Sequence, residues 1–440
     1  MLKPLKSNAR IGSREELIQA LRTGAELEHG LCCQYLFTAF TIRKTATDFG
    51  KSPDLVVLQM AQRWEAVLML IARQEMEHLA LVCNLLNAIG GDLNFDRPNF
   101  PQPAKRYPLN IPFRLDPFGV PALRRFVWFE KPEDLTPSFS RDGYCPDYPA
   151  PAAARFLESV SVPETHYTSV QELYTEINAA FQNLDPAEIF RGNTDRQVNG
   201  SQFAYRITVE PVTNREQAEA AVSLIIEQGE GIGLTPLDPN GSHFQMFVRV
   251  LREFEEAKRK IPNFDPTLDV VENPVLKQSP GTGHGTIVTD KASRVGMEIF
   301  NEAYNLMVVM LRGWFQQFSF SQNYPRQAAQ FYAAFFPLMT MVIRPLGEIL
   351  TRMPAGVDGK NAGPSFELPP IPPDQTITRD WYLQKLSELE TRCREFTDDV
   401  PDGLKERMNF IFQNVHATNL HFANLWTASG KATKISHFPI

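Results

Sequence analysis

Residues 71–91 read IARQEMEHLALVCNLLNAIGG, and the fold turns on which way Glu75 and His78 face. At about 100° per residue, Trp64, Leu68, Val82 and Leu86 lie within about 20° of Glu75, and Ile71 and Leu79 within about 40°. His78, three positions on, projects from the same face, whereas Glu77 points away. A helix with this stripe delivers one carboxylate and one imidazole into an apolar core on adjacent turns. Gly90 and Gly91 end it.

Upstream, LEHGLCCQYLFTAF at 27–40 repeats the device. Around Glu28, Leu17, Leu21 and Tyr35 fall within about 20°, and Leu31 about 60° away. Glu26 points to the opposite side. Ser13 is the expected N-cap, with Glu16 at the capping-box position. The break TATDFGKSP is short enough to make the runs 14–44 and 54–89 antiparallel neighbours. A proline-rich stretch without periodicity (92–160), a helix at about 164–184 and a β-like FAYRITV at 203–209 form a long crossover over 92–212. Asn214 caps a third long helix (REQAEAAVSLIIEQGEG), and a fourth begins at His243 (HFQMFVRVLREFEEAKRK). Two helices, a long connection and two more helices make a four-helix bundle with one long crossover, over 1–260. Residues 261–440 are expected to form a second helical region packed on the bundle, with helices near 293–321, 326–352, 380–397 and 403–427.

The 440 residues are 43% hydrophobic and 22% charged, a globular composition that excludes collagenous or disordered chains. Net charge is −7 without a Lys/Arg cluster, which argues against nucleic-acid and anionic-membrane partners. No apolar run is expected to reach the roughly 18 residues of a membrane span; the longest, around Leu306–Leu311 and Phe335–Ile343, are short and interrupted. The polar opening MLKPLKSNAR predicts no signal peptide. Cys32, Cys33, Cys83, Cys145 and Cys393 read as buried thiols in a reducing cytoplasm.

A buried ionised carboxylate costs several kcal/mol unless it is paired or bound to a cation. Arg22, Arg63 and Arg73 do not align with Glu28 or Glu75, so a metal is the remaining neutraliser. A lone Glu on one helix and Glu-x-x-His on its partner is half of a carboxylate-bridged dimetal site. For the other half, Glu227 and Glu230 share a face in the last turn of the third helix, where acidic residues oppose the macrodipole. Gly229 and Gly231 also read as ordinary C-cap chemistry. His243 opens the fourth helix on the side of Phe247 and Val250. Its separation from both carboxylates leaves open which of Glu227 and Glu230 bridges.

These blocks, with IIEQGEG at 225–231 and SHFQMF at 242–247, resemble the ferritin-like domain of the iminophenyl-pyruvate dimer synthase family of bisindole pathways. The resemblance covers about 1–260 and continues weakly through FNEAY and AGPSFELP. It implies an all-α, ferritin-like four-helix bundle and Glu28, Glu75, His78, Glu227 or Glu230, and His243 as metal ligands. The spacing of Glu28 and Tyr35 also resembles the first helix of ferritins, making Tyr35 a candidate redox or hydrogen-bonding group beside the site; a core tyrosine is the plainer reading.

Of the remaining candidates, His29 lies about 100° from Glu28 and suits an interface better than a ligand. The cysteines lack Cys-x-x-Cys spacing and read as packing. His284, in GTGHGT, lacks phosphate-loop spacing. His166, His416 and His421 are taken as structural, and the aromatic stretch 314–336 as core. The expected function is a nonhaem dimetal oxidase or oxygenase, with two iron ions (manganese the alternative), O2 and a small apolar or aromatic amino-acid-derived substrate. Oxidative imine coupling is the version the resemblance implies. The competing reading is a non-catalytic metal-binding or storage protein; homo-oligomerisation stays open.

Overall fold

The structure, a computed structural model, describes residues 11–50, 54–93, 95–102, 111–132, 167, 169–193, 196–200, 208–231, 241–278, 284–315, 334–369 and 379–427. Helix α1 (Arg14–Phe40) starts where Ser13 Oγ accepts the Glu16 amide at 3.2 Å. Glu16 Oε2 returns to the Gly12 amide at 2.7 Å, one residue earlier than in a standard capping box. Helix α2 (Leu55–Ile89) is capped by Asp54 and closes at Gly90, whose φ of +69° is the left-handed conformation glycine adopts freely. Arg14 Nε donates to Ile89 O at 2.7 Å, so the start of α1 meets the end of α2 and the two run antiparallel. Leu17, Leu21, Tyr35, Trp64, Leu68, Val82 and Leu86, the residues of the two stripes, are all buried.

The crossover is not wholly extended. Helix α3 (Val120–Phe129) lies within it, begun by Gly119 and Pro121 and burying Leu123, Phe126 and Val127. Its three-to-four spacing is embedded in a proline-rich stretch, and the absence of sustained periodicity around it hid it. Helix α4 (Val170–Asn183) starts at its Ser169 cap, later than the sequence suggests. Of FAYRITV, residues 203–207 lie outside the described residues, and Thr208 and Val209 form no strand. Helices α5 (Arg215–Glu230) and α6 (His243–Lys260) follow, capped by Asn214 and by a Ser242/Gln245 capping box. The long pair α1/α2 packs along its length, α4 lies along α5 and against α1, and α3 lies along α6. The second pair therefore meets the first together with two helices from the crossover.

Beyond the bundle, two-residue strands β1 (Pro274–Val275) and β2 (Thr286–Ile287) pair in parallel. Helix α7 (Lys291–Gly313), a π-helical stretch Leu338–Ile343 running into α8 (Arg344–Leu350), α9 (Arg379–Phe396) and α10 (Asp402–Thr427) make the second region. Residues 316–333, which take in the end of one expected helix and the start of the next, lie outside the described residues, as do Cys145 and His166. The second region docks on the end of α1. A β-carbon on Gly347 would stand 2.7 Å from the Phe40 ring, and Thr351 Oγ1 donates to Phe40 O at 3.1 Å. Buried Glu348 meets Lys44 at 3.1 Å, Arg344 at 3.3 Å and Arg407. His29 and Arg97 Nη2 both meet Tyr304 OH of α7, the latter at 3.2 Å, so His29 serves the seam.

Contrary to the sequence expectation, α2 reaches the length and mean hydropathy (1.4 over 18 residues) of a membrane span, a third of that window being buried. In the fold it is the bundle helix that carries Glu75 and His78. Cys32, Cys33, Cys83 and Cys393 are buried free thiols.

Candidate metal centre

Glu28 from α1, Glu75 and His78 from α2, Glu130 from the C-cap of α3 and His243 from the first turn of α6 converge in the bundle interior, none more than 3% exposed. His78 Nδ1 stands 3.5 Å from Glu28 Oε2 and 3.4 Å from Glu75 Oε2. His243 Nδ1 stands 3.0 Å from Glu75 Oε1 and 3.6 Å from Glu130 Oε2. The five residues thus form two groups of three donors, each one imidazole nitrogen and two carboxylate oxygens, with Glu75 shared. The two imidazoles stack, centroids 5.4 Å apart.

Donors about 2.1 Å from one ion are about 3.0 Å apart when cis in an octahedron and about 3.4 Å apart in a tetrahedron. The observed 3.0–3.6 Å spans that range. Glu75 Oε1 and His243 Nδ1 approach to 3.0 Å without the alignment of a hydrogen bond. No Lys or Arg among the described residues pairs with Glu28, Glu75 or Glu130. Nitrogen and oxygen donors without thiolate suit iron or manganese. The cavity among them measures about 10 Å³, room for an ion or a single water. The donors present fit a bound metal ion.

The charges explain one another. Burial, reinforced by the charge of Glu75, pushes Glu28 up to about 8. Against burial and the charge of Glu130, His243 and His78 hold Glu75 below the usual carboxylate range. Burial alone would lower the imidazoles, but the carboxylates outweigh it, raising His243 to about 9 and His78 well above its ordinary value. Without another cation, protons on Glu28 and on the two imidazoles offset the negative charge of the cluster.

A layer of hydrogen bonds orients these groups. Gln228 Oε1 lies 2.9 Å from His78 Nε2, which leaves Nδ1 turned toward Glu28 and Glu75. Tyr35 OH donates to Glu130 Oε1 at 2.5 Å, not to Glu28 as its spacing suggests; Tyr174 OH of α4 donates to Glu28 Oε1. A β-carbon on Gly229 would stand 3.3 Å from Glu130 Oε2, so glycine there lets the end of α5 close over the cluster.

Glu227 and Glu230 part company, which corrects one of the two. Glu227 is exposed on the outer side of α5 and does not reach the cluster. Glu230, three residues on in the same last turn, is buried, lines the cavity, and accepts the Gln171 amide at 2.9 Å. It caps the N-terminus of α4, whose positive end offsets a carboxylate otherwise misplaced at the end of α5. Glu230 belongs to neither three-donor group; Glu75 is the shared carboxylate. Glu130 was missed because α3 was missed, although a glutamate ending the run ALRRFVWFE is a carboxylate at a helix C-terminus, the same signal that singled out Glu230. Tyr174, beside the buried Leu173, Ile177 and Phe181, gave no separate signal. Glu77, expected to point to solvent, is buried under the crossover, accepting the Thr208 amide at 3.3 Å and pairing with Arg73.

A family model described as Ferritin-like matches residues 21–252. The chain is 28% identical over 438 residues to dichlorochromopyrrolate synthase of Lentzea aerocolonigenes, covering 92% of this chain and 41% of that one. It is 28% identical over 442 residues to 2-imino-3-(indol-3-yl)propanoate dimerase of Chromobacterium violaceum, covering 92% and 40%. The chain thus spans about two fifths of the length of these curated relatives, both biosynthetic enzymes. A solved ferritin-like protein from Caulobacter vibrioides is similar at a TM-score of 0.44 and 17% identity, over 83% of this chain and 100% of that one. With more than half its length matched by the family model, the chain belongs to the ferritin-like family.

Proposed function

We propose that this protein is a nonhaem dimetal oxidase or oxygenase acting on a small aromatic or apolar amino-acid-derived substrate, with oxidative coupling of an imine as the reaction its relatives' names favour. One observation carries the reading: the two oxygens of Glu75 face two different imidazoles, each with its own second carboxylate. Glu28 and His78 would hold one ion, Glu130 and His243 the other, and Glu75 both. Iron is the proposed metal and manganese the alternative. When bound, a pair of redox-active ions supplies electrons to O2.

The chain's own residues prepare the site. Gln228 fixes the face that His78 presents, and Leu31, Ile225 and Ile226 keep the cavity walls apolar. To hold a cation, the two imidazoles and Glu28 would first have to give up the protons they otherwise retain. The cavity borders the seam where the start of α4 (Val170, Gln171, Tyr174) meets the end of α5 (Ile225, Gly229, Glu230), and this is the proposed side of substrate approach. Four buried free thiols support a reducing, cytoplasmic setting.

An oxygen electrode with Fe(II)-loaded protein tests the proposal. O2 uptake that depends on an added aromatic α-imino acid, with stoichiometric organic product, is expected. Slow uptake that merely oxidises the iron, with no organic turnover, would favour storage.

A further inference from the structure

We propose that Tyr35 and Tyr174 are paired positioning residues that restrict Glu130 and Glu28 to one metal-binding oxygen each, keeping coordination positions open for an exogenous ligand. The inference rests on the dimetal reading above and concerns how the outer carboxylates bind, not whether they do.

The arrangement repeats on both sides of Glu75. Tyr35 OH donates to Glu130 Oε1, leaving Oε2 at 3.6 Å from His243 Nδ1. Tyr174 OH donates to Glu28 Oε1, leaving Oε2 at 3.5 Å from His78 Nδ1. In each case the phenol takes the distal oxygen and the proximal one faces the imidazole. The two phenols come from helices α1 and α4, so one stretch of sequence does not impose the match.

Neither phenol is free to turn away. Tyr35 is fully buried between Phe126 and Phe247, ring centroids 4.6 and 4.9 Å away. Tyr174 is 1% exposed, and its hydroxyl occupies space that Gly24 leaves open, since a β-carbon there would lie 3.0 Å from it. A carboxylate held by such a donor cannot rotate to chelate an ion without breaking a charge-assisted hydrogen bond in a water-poor interior. Each group would offer an ion three protein donors, short of the six of an octahedral site.

Cobalt(II) replacement tests this with a spectroscopic readout, because visible d–d absorption weakens as coordination number rises. The native protein is expected to bind two Co(II) per chain with strong absorption and to take up azide. Y35F and Y174F are expected to keep two Co(II), lose absorption intensity as the released oxygen coordinates, and bind azide at least about tenfold more weakly. Unchanged spectra and azide affinity in both variants would overturn the proposal. If a variant fails to fold, metal-difference infrared spectra of the native protein decide: a wide separation of the two carboxylate stretches is expected, and a narrow, chelate-type separation would overturn it. A native chain that takes up no Co(II) would instead remove the dimetal reading itself.

Discussion

Replacing Glu75 by Gln keeps the side-chain volume and removes the one charge shared by both donor groups. The native Oε1 and Oε2 lie 3.0 Å from His243 and 3.4 Å from His78, so the substitution strips a ligand from both ions at once. A ligand that binds only the folded state stabilises it by about 2.7 kcal/mol at a hundredfold excess over Kd. Two ions therefore contribute about 5.4 kcal/mol. The unfolding entropy of a 440-residue chain is about 0.9 kcal/mol/K, which converts this to a rise in Tm of about 6 °C. Thermal unfolding with and without Mn(II), a redox-quiet probe, should show that rise in the native protein and less than about 1 °C in E75Q. E77Q is the control: Glu77 sits two residues away, is also buried, and among the described residues pairs with Arg73 and the Thr208 amide, so its variant should keep the full rise. An E75Q protein stabilised as much as the native one would refute the reasoning.

Glu130→Ala should lower the bound metal from two ions to one per chain, whereas Glu227→Ala should leave it at two; elemental analysis separates them, and the reverse pattern would restore the sequence expectation for Glu227. Gln228→Leu removes the partner of His78 Nε2 and should weaken metal affinity about 10–100-fold without changing the number of ions, measured by competition with a chelator. Glu28 at about 8, His243 at about 9 and a raised His78 mean that the metal-free cluster is protonated at pH 7. Metal binding at pH 7 should release about two to three protons, counted by calorimetry in buffers of different ionisation enthalpy. The sign for stability follows: an imidazole raised on folding stabilises fully below about 6.5 and loses that contribution as pH climbs through about 9. The metal-free Tm should fall across that window, and a flat profile would contradict the assignment. Tyr304→Phe should cost about 1–3 kcal/mol, because it leaves His29 and Arg97 short of a partner at the seam, while metal uptake stays unchanged.

The first half of the site was legible because its signal is local. Glu28 and Glu75 break apolar stripes of long helices, and periodicity alone turns them inward. The second half was legible only as a need for more ligands. His243 could be named from its place at a helix start, but Glu130 comes from a ten-residue helix that prolines conceal, and it reaches the cluster through the packing of α3 along α6. Glu227 and Glu230 were not separable by spacing, since three residues apart they share a face; what separates them is the N-terminus of α4, a tertiary contact. Glu77 shows the same limit, as its outward face on α2 is covered by a crossover segment no helical wheel can see. Tyr35 was noticed, yet its partner is Glu130 and not the Glu28 of its own helix, because seven residues separate the two along the axis by about 10 Å.

Metal bound inside the bundle is the central claim. Crystals of the iron- or manganese-loaded protein, measured on either side of the metal's absorption edge, give the most direct answer. Two anomalous peaks about 3.5–4 Å apart, one between Glu28 and His78, one between Glu130 and His243, with Glu75 spanning both, are the expected result. Protein that carries no metal after loading, or whose only peak lies away from Glu75, would contradict it.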